Sequence, residues 1–450
     1  MLPAKIFKIS HSKPSKHNSH MDNLPPTQTT MRVLISGAGI AGPTLAWFLA
    51  RTGARVTVLE KSAALLRQGH NVDVNYGAIK VIRKMGLIGE LKRWNTTEKG
   101  TKLIDPRGRP FAPFPVHPGD GFNPTSEFEV LRGDLSWFLY EATKAHPNVE
   151  YRFGVTSKRV VENGDDCVRV ELSGGEVEEY DLLVAADGQW SKVRRQCFPE
   201  EEVAVVDKDM YVVYSTIPRV ASDDDWWNVF VGLGSRCISL RPDPHGTIRA
   251  MFTRMPLYDA QRRLWQEAAR SDRKTQQELV RREFADAGWQ APRILEAMED
   301  SEDYYFQALQ QIKMKRWSTG RVVCLGDAAW APTPLTGMGT SLAIQGAYVL
   351  SGELSKLGEG EHPRKALEEF EGKFRSYVDE TQHIPFFFPA VVHPDVAWKR
   401  WLFQTCVAGV ARVVANPWVQ KKFIQGTNVE DTDGFTLPEY ERFEVDGFAG

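Results

Sequence analysis

Three apolar runs punctuate this chain at wide intervals, and each leads into glycine or aspartate. Val33-Leu34-Ile35 runs into Ser36-Gly37, Leu182 to Ala186 into Asp187-Gly188, and Val322 to Leu325 into Gly326-Asp327. Strands of a parallel sheet, buried on both faces, read this way. After the first run the spacing turns helical through Leu45 to Leu49, and Gly53 closes that helix as a glycine just past a helix end does. Arg55 to Leu59 follows as a second strand, with Glu60 at its C-terminal end. The segment Asn71 to Asn75 alternates like a strand. Gly77 to Trp94 has helical spacing through Ile79, Ile82, Met85, Leu87, Ile88 and Leu91, and Leu135 to Ala145 predicts another helix. Residues 149–173 read as two or three short strands with a turn at Asn163-Gly164-Asp165.

From Met210 to Met255 the pattern changes. Strand-like runs recur at Tyr211–Ile217, Trp226–Val231, Cys237–Leu240 and Thr247–Thr253, separated by turn signals such as Pro242-Asp243-Pro244 and His245-Gly246. This predicts an antiparallel sheet and hence a second domain. Helical stretches follow near Asp259–Ala285 and Ala291–Glu299, then a strand over Tyr304–Lys315 and helices over Thr340–Leu357 and Arg364–Glu380. Residues 105–126 are rich in proline and glycine, carry Phe111, Phe114 and Phe122, and show no period. Such a segment suits a pocket loop or a surface loop tacked down by its rings. The tail from His383 is dense in rings (Phe386, Phe387, Phe388, Trp398, Trp401, Phe403, Trp418), interrupted by Lys399, Arg400 and Arg412, and predicts amphipathic helices packed on the body.

At 450 residues the chain exceeds one small core, and about two to three domains are expected. Its 42 % hydrophobic and 25 % charged residues are those of a globular protein, and the formal net charge of −2 calls for no polyanion or nucleic-acid partner. Five scattered cysteines without a C-x-x-C argue against zinc and against a disulfide framework, and suit a reducing, cytoplasmic setting. No apolar run reaches the roughly 18 to 20 residues of a membrane span. Residues 1–30 are polar, with Lys5, Lys8, Lys13 and Lys16 and no acid before Asp22, and read as a disordered extension. His11, His17 and His20 within them suggest no built metal site, and no metal is expected elsewhere.

The chemistry concentrates where the apolar runs end. Gly37, Gly39 and Gly42 spell G-x-G-x-x-G between a strand and a helix. Gly37 permits the tight turn, Gly39 leaves room for a pyrophosphate, and Gly42 lets the helix lie close to the sheet. The helix N-terminus then offers free N–H groups and partial positive charge to the phosphates. Glu60, ending the second strand, is placed to accept hydrogen bonds from a ribose diol. The unit predicts dinucleotide binding without choosing between NAD and FAD. Arg132 opens the helix over Leu135–Ala145, where a cation is locally unfavourable. An anion or carboxylate partner would offset that cost, and a simply solvated arginine is the alternative. Asp187, at a strand end where open α/β sheets place ligands, reads either as a site residue or as a turn residue.

The ordered triple, together with the pieces GAGIAG, QGHNVDVNYGAIKVIRKMGLI, VLRGDLSWFL, DLLVAADGQWSKVRR and VVCLGDAAWAPTPLTGMGTSLAIQGAYVL, resembles the FAD-dependent, aromatic-hydroxylase-like monooxygenases. The detail is closest to the tetracycline-inactivating and polyketide-hydroxylase members, over roughly residues 31–380. The resemblance implies an α/β fold: a Rossmann-like FAD-binding domain of the glutathione-reductase/p-hydroxybenzoate-hydroxylase type with an inserted antiparallel-sheet substrate domain and C-terminal helices. In the expected division, residues 1–30 are an extension and three separate segments, 31–104, 129–206 and 315–380, build the FAD-binding domain. Residues 105–128 form a substrate-side loop, 207–314 the substrate domain, and 381–450 the C-terminal helices.

Carried over by position, the resemblance implies that Gly37, Gly39 and Gly42 hold the FAD pyrophosphate and Glu60 the adenosine ribose. Arg132 would contact FAD, Asp73 would lie beside the flavin, and Asp187-Gly188 would serve FAD and NADPH. Asp327 would meet the ribityl chain, and Gly337, Met338 and Gly339 would approach the isoalloxazine through backbone N–H groups. Reduced flavin carries negative charge near N1, which a helix N-terminus stabilises. Arg67 lies one residue off the position of a family arginine linked to NADPH and is a weak candidate. The implied cycle has NADPH reduce FAD, O2 add to give a flavin C4a-hydroperoxide, and one oxygen atom pass to an aromatic or polyketide-like small molecule. Accordingly no Ser-His-Asp set, no demanding carboxylate pair and no second G-x-G-x-x-G is found, and no catalytic side chain is singled out. Two rivals remain open at this level: a flavin halogenase, oxidase or reductase on the same scaffold, and a non-catalytic carrier of related fold. The W-x-W-x-I-P signature of one halogenase class is absent, and Trp226-Trp227 does not supply it.

Overall fold

The computed structural model describes residues 31–65, 69–96, 98–116, 128–385, 387–416 and 434–443. The expectations for residues 1–30, Arg67, Phe122, Phe386 and Trp418 fall outside them. The three apolar runs become β1 (Arg32–Ser36), β11 (Leu182–Ala185) and β18 (Val322–Cys324), side by side in one sheet. The sheet order is β17-β18-β11-β1-β2-β7, where β2 is Arg55–Glu60, β7 is Val149–Phe153 and β17 is Ser318–Thr319. Every pairing except β17 with β18 is parallel. Val33, Leu34, Ile35 and the whole of β11 are buried in a core shared with α1 and with Val168, Val170, Leu172 and Tyr180 from residues 168–180.

Helix α1 (Ala41–Arg51) buries ten of its residues and packs against α10 (Gly339–Leu354), itself almost wholly buried. At the end of α1 the N–H of Gly53 bonds the carbonyl of Ala50 with φ at +92°, a conformation glycine adopts without strain. The expected helix over Gly77–Trp94 is two, α2 (Gly77–Lys84) and α3 (Ile88–Arg93). Gly86, at φ +71°, breaks the run between them. Helix α4 begins at Arg132 rather than Leu135 and ends at Glu141. Two small sheets complete this half: β3 (Asn71–Asp73) with β6 (Glu129–Leu131), and β8 (Ser157–Asn163), β9 (Val168–Leu172) and β10 (Val177–Tyr180).

The second large sheet has seven strands in the order β16-β12-β15-β14-β13-β4-β5. These are β12 (Val203–Pro218), β13 (Trp227–Val231), β14 (Arg236–Pro242), β15 (Thr247–Arg254) and β16 (Tyr305–Met314), with β4 (Gly100–Ile104) and β5 (Pro110–Pro115) from earlier in the chain. The expected division puts residues 100–115 in the first domain and in a loop, yet they form the edge of this sheet. The strand signal of β5 is hidden by Pro110, Pro113 and Pro115, which an edge strand tolerates because its outer N–H groups need no partner. Helices α6 (Asp259–Ala268), α7 (Arg273–Phe284) and α8 (Ala291–Ala297) cover one face with a core of Trp265, Phe252, Phe284 and Phe306. The single expected helix over Asp259–Ala285 is broken where Asp272 caps α7 by accepting from the Thr275 N–H at 2.8 Å. On the other face Tyr214 stacks on His70, and Tyr214 and Met251 cluster with Leu335.

At the C-terminus, α11 (Arg364–Thr381) packs on α10. After α12 (Phe388–Val392), α13 (Ala397–Val414) lays Phe403, Val407, Ala408 and Ala411 on β4 and β5. Its opposite face leaves Trp398 and Trp401 exposed, so only one side of this helix is packed on the body. Phe435, Tyr440 and Phe443 return to the first domain, where Tyr440 donates to Glu353 at 2.7 Å.

Candidate functional site

The glycine turn after β1 shows which glycines the protein itself requires. Gly37 sits at φ +115°, and a Cβ there would lie 2.4 Å from the Ala186 carbonyl oxygen. A Cβ on Gly42 would lie 2.0 Å from the Gly37 carbonyl oxygen. Both positions are fixed by packing. Gly39 differs: a Cβ there would meet only Arg132 Nη2, at 4.0 Å. No neighbour among the described residues forbids a side chain at Gly39, so its lack of one keeps a space open. Glu60 closes the other side of the turn. Its carboxylate accepts from the Ala38 N–H at 3.2 Å and the Ser62 N–H at 3.0 Å.

Arg132 is the first residue of α4, held there by its own N–H, which donates to the His70 carbonyl at 3.0 Å. Within residues 128–136 it alone is exposed, and its guanidinium reaches the space above Gly39. Asp327 stands in the same relation to its surroundings. It opens α9 (Asp327–Trp330), and within residues 321–333 it alone is exposed. Dense protein around the cleft still penalises its charge, raising its pKa, while Arg132 pulls it back down. Two oppositely charged side chains thus face one cleft from two otherwise buried segments.

The loop before α10 forms the third wall. Thr333, at φ +75°, and Gly337, at +65°, bend it tightly. A Cβ on Gly337 would lie 3.7 Å from Asp73 Oδ2, and one on Gly339 would lie 3.9 Å from Asp327 Oδ1. Asp73 and Asp327 therefore flank this loop. The expected role of its backbone changes in detail. The Gly337 N–H already donates to the Pro334 carbonyl at 3.1 Å, and the Met338 N–H to Thr336 Oγ1 at 3.2 Å. The unclaimed donors at this helix start are those of the first turn, from Gly339 onward. Ser341 in that turn accepts from the Asn75 N–H at 3.0 Å, tying the loop to the strand that carries Asp73.

Asp187 lies at the end of β11. Its Oδ2 accepts from the Lys192 N–H at 3.0 Å, and its buried Oδ1 has no partner among the described residues. It therefore acts in the turn while one oxygen remains unused. Ser191 caps the following helix α5 (Lys192–Cys197) through the Arg194 N–H. In the sequence Arg194 is one more cation of a short basic helix. In the structure it is buried and donates to the carbonyls of Ala328 and Gln189, both at 2.6 Å, stapling the Asp187 loop to the Asp327 helix. Its only mark in the sequence is a place three residues after a capping serine.

Behind Asp73 lies a buried charge cluster. Arg241 on β14 bonds Glu98 at 3.0 Å and also pairs with Glu129 on β6. Asn71 donates to Glu129, and the register sets Asp73 opposite Glu129. Burial pushes the Glu129 carboxyl up to about 8, against the pull of Arg241. One arginine thus serves two buried carboxylates, and protonating one of them near neutrality balances the cluster.

Gly39 thus lies beside Arg132, Gly337 beside Asp73 and Gly339 beside Asp327, while Gly37 packs against residues 186 and 187 and Gly42 against Gly37. The cleft fits a dinucleotide. It has an open glycine at a helix N-terminus, an exposed arginine, an exposed carboxylate and a second helix start, a set able to receive phosphates, hydroxyl groups and a ring that becomes negative. If Arg132 holds a phosphate, Arg132→Ala should weaken FAD binding by about ten- to a hundredfold. A fluorescence titration giving an unchanged dissociation constant would leave Arg132 a solvated arginine. Among the described residues no group of three or more His, Cys, Asp or Glu side chains could hold a metal, and no helix is long and apolar enough to cross a membrane.

Known proteins resemble this chain in sequence and fold. The FAD binding domain family matches residues 30–381. The chain is 30 % identical over 436 residues to the FAD-dependent monooxygenase asL6 of Sarocladium schorii, covering 93 % of this chain and all of that one. It is 34 % identical over 389 residues to the monooxygenase CTB7 of Cercospora beticola, covering 83 % and 90 %. The crystal structure of tetracycline destructase Tet(55) superposes with a TM-score of 0.71 at 26 % identity, over 93 % of this chain and all of that one.

Proposed function

The chain belongs to the FAD binding domain family and is an FAD-dependent monooxygenase, and from that premise we propose that it takes electrons from NADPH and inserts one atom of O2 into an aromatic or polyketide-like small molecule. The observation that carries this reading is the pair Arg132 and Asp327, each the one exposed side chain in a buried run, facing the same cleft beside Gly39. Bound FAD supplies the hydride-accepting and oxygen-activating chemistry, and the chain supplies position and charge. Gly39 and the start of α1 receive the pyrophosphate, with Arg132 across from them. Asp327 holds hydroxyl groups of the ribityl chain, and Glu60 those of the ribose. The first turn of α10 lends positive potential to the ring region as it gains charge. Asp187-Gly188 serves FAD and NADPH together. The face of the seven-stranded sheet turned toward this cleft receives the substrate. The reading is tested with isotope-labelled O2 and NADPH against a panel of hydroxylated ring compounds. One labelled oxygen per product and one NADPH per turnover are expected. Label only in water, or NADPH use unchanged by every ring compound, would overturn it.

A further inference from the structure

The sheet register identifies a row of side chains that faces the cleft. Val229 on β13 opposes Ser239 on β14, Ser239 opposes Met251 on β15, Met251 opposes Tyr214 on β12, and Tyr214 opposes Tyr305 on β16. Alternation puts all five on one face of the sheet, away from the Phe252 core. That face meets the flavin side of the molecule. The Tyr214 ring stacks on His70 with centroids 4.7 Å apart, and Met251 and Tyr214 join a cluster with Leu335 of the loop before α10. Val229, Met251 and Tyr214 are half-buried and Tyr305 is exposed, although four of the five strands lie inside the sheet. Half-exposed apolar side chains in the middle of a sheet mark a hollow lined by rings and a thioether.

The next row on the same face carries the charges. Arg241 opposes Arg249, and Arg249 opposes Thr216. Both arginines are already matched. Arg241 meets Glu98 and Glu129 and lies against the Trp227 ring at 4.1 Å. Arg249 bonds Asp243 at 2.9 Å and Asp303 at 2.6 Å. Burial opposes ionisation of Asp243 and Asp303, but hydrogen bonds from Thr247 and Thr216 and the Arg249 charge outweigh it, leaving both below the ordinary carboxylate range. His70, at the edge of the hollow, is held neutral by burial and by the nearby arginines, with its pKa lowered to about 3. Four carboxylates face two arginines here, so among the described residues neither arginine of this wall is spare for an anionic substrate, whose desolvation would go uncompensated. Arg132, whose charge reaches His70 and Tyr305, is committed to the pyrophosphate in the proposed reading.

We infer that the substrate is an uncharged, planar ring system held by ring and thioether contacts along the Val229–Met251–Tyr214–Tyr305 row, and that aromatic carboxylates are excluded. The inference rests on the monooxygenase reading for the site's purpose, but its test does not depend on turnover. Calorimetric titration of the full-length, FAD-loaded protein near neutral pH would compare 2-naphthol with 2-naphthoate, one ring system in neutral and anionic form. Naphthol should bind at least about tenfold more tightly. Equal or tighter binding of naphthoate, or binding of neither, would overturn the inference. Location is tested by placing an unmatched cation in the row. Met251→Arg should shift the preference toward naphthoate by about tenfold or more, and the uncharged Met251→Gln should leave it in place. A Met251→Arg protein with unchanged preference would put the rings elsewhere and sink the inference. Flavin content, read by absorbance on the same samples, reports separately on the monooxygenase reading.

Discussion

A Gly39→Val protein should fold like the parent and fail to hold FAD. The cleft has room for the new side chain, since a Cβ at this position meets only Arg132 Nη2 at 4.0 Å. Thermal unfolding of the FAD-free protein should therefore move by no more than a surface substitution does, within about 0.5 kcal/mol. The valine would instead fill the space reserved for the pyrophosphate beside the start of α1, and FAD affinity should fall by roughly a hundredfold or more. The neighbouring glycines supply the control. Gly37→Ala puts a Cβ 2.4 Å from a backbone oxygen at φ +115°, and Gly42→Ala puts one 2.0 Å from another. Both should destabilise the protein itself, by about 1–3 kcal/mol or more, with or without FAD. If Gly39→Val kept its flavin, the glycine would be incidental and the cleft would not be the dinucleotide site.

Asp327→Ala should separate binding from stability in the same manner. Its carboxylate is the one exposed group in a buried segment, and its pKa is raised because the surrounding protein penalises the charge. A carboxyl group whose folded pKa lies above its unfolded value contributes fully below the unfolded pKa, and that contribution is lost as pH rises through the folded value. At neutral pH the FAD-free Asp327→Ala protein should therefore be as stable as the parent or slightly more so, and any gain should vanish in acid. FAD binding should fall about ten- to a hundredfold, the effect of removing a charged acceptor from hydroxyl groups. Asp327→Asn, which keeps the shape, should recover only a fraction of it. Full flavin occupancy in Asp327→Ala, measured by absorbance ratio, would remove this residue from the site.

The parallel half of the fold was legible because one physical rule writes it. Strands buried on both faces are runs of Val, Leu and Ile, and the turns that follow need glycine or an acid at fixed places. Three such runs lie side by side in the structure, as β1, β11 and β18. The edge of the other sheet was not legible, because β5 alternates prolines with rings and its pairing partner β4 joins β13 from more than 100 residues away. A period in one segment does not encode such a partner. The break at Gly86 and the cap at Asp272 were visible as residues, but the apolar spacing ran on past them. Gly37, Gly39, Gly42 and Glu60 were legible by spacing and Asp73 and Asp327 only through the family resemblance, whereas the Arg194 staple depends on two carbonyls that only the folded chain brings together. The neutralised arginines of the hollow depend in the same way on carboxylates from four separate segments. The exposed face of α13 shows the opposite failure. Trp398 and Trp401 read as packing residues, yet the helix turns them outward.

The claim at the centre is that this cleft carries a flavin that NADPH reduces and O2 reoxidises. Purified protein, loaded with FAD, would be mixed with NADPH in the absence of oxygen and then with O2, with absorbance followed throughout. Stoichiometric flavin, loss of its oxidised band with NADPH and return of that band with O2 is the predicted record. A protein that holds no FAD, or whose bound FAD keeps its oxidised band in the presence of NADPH, would contradict it.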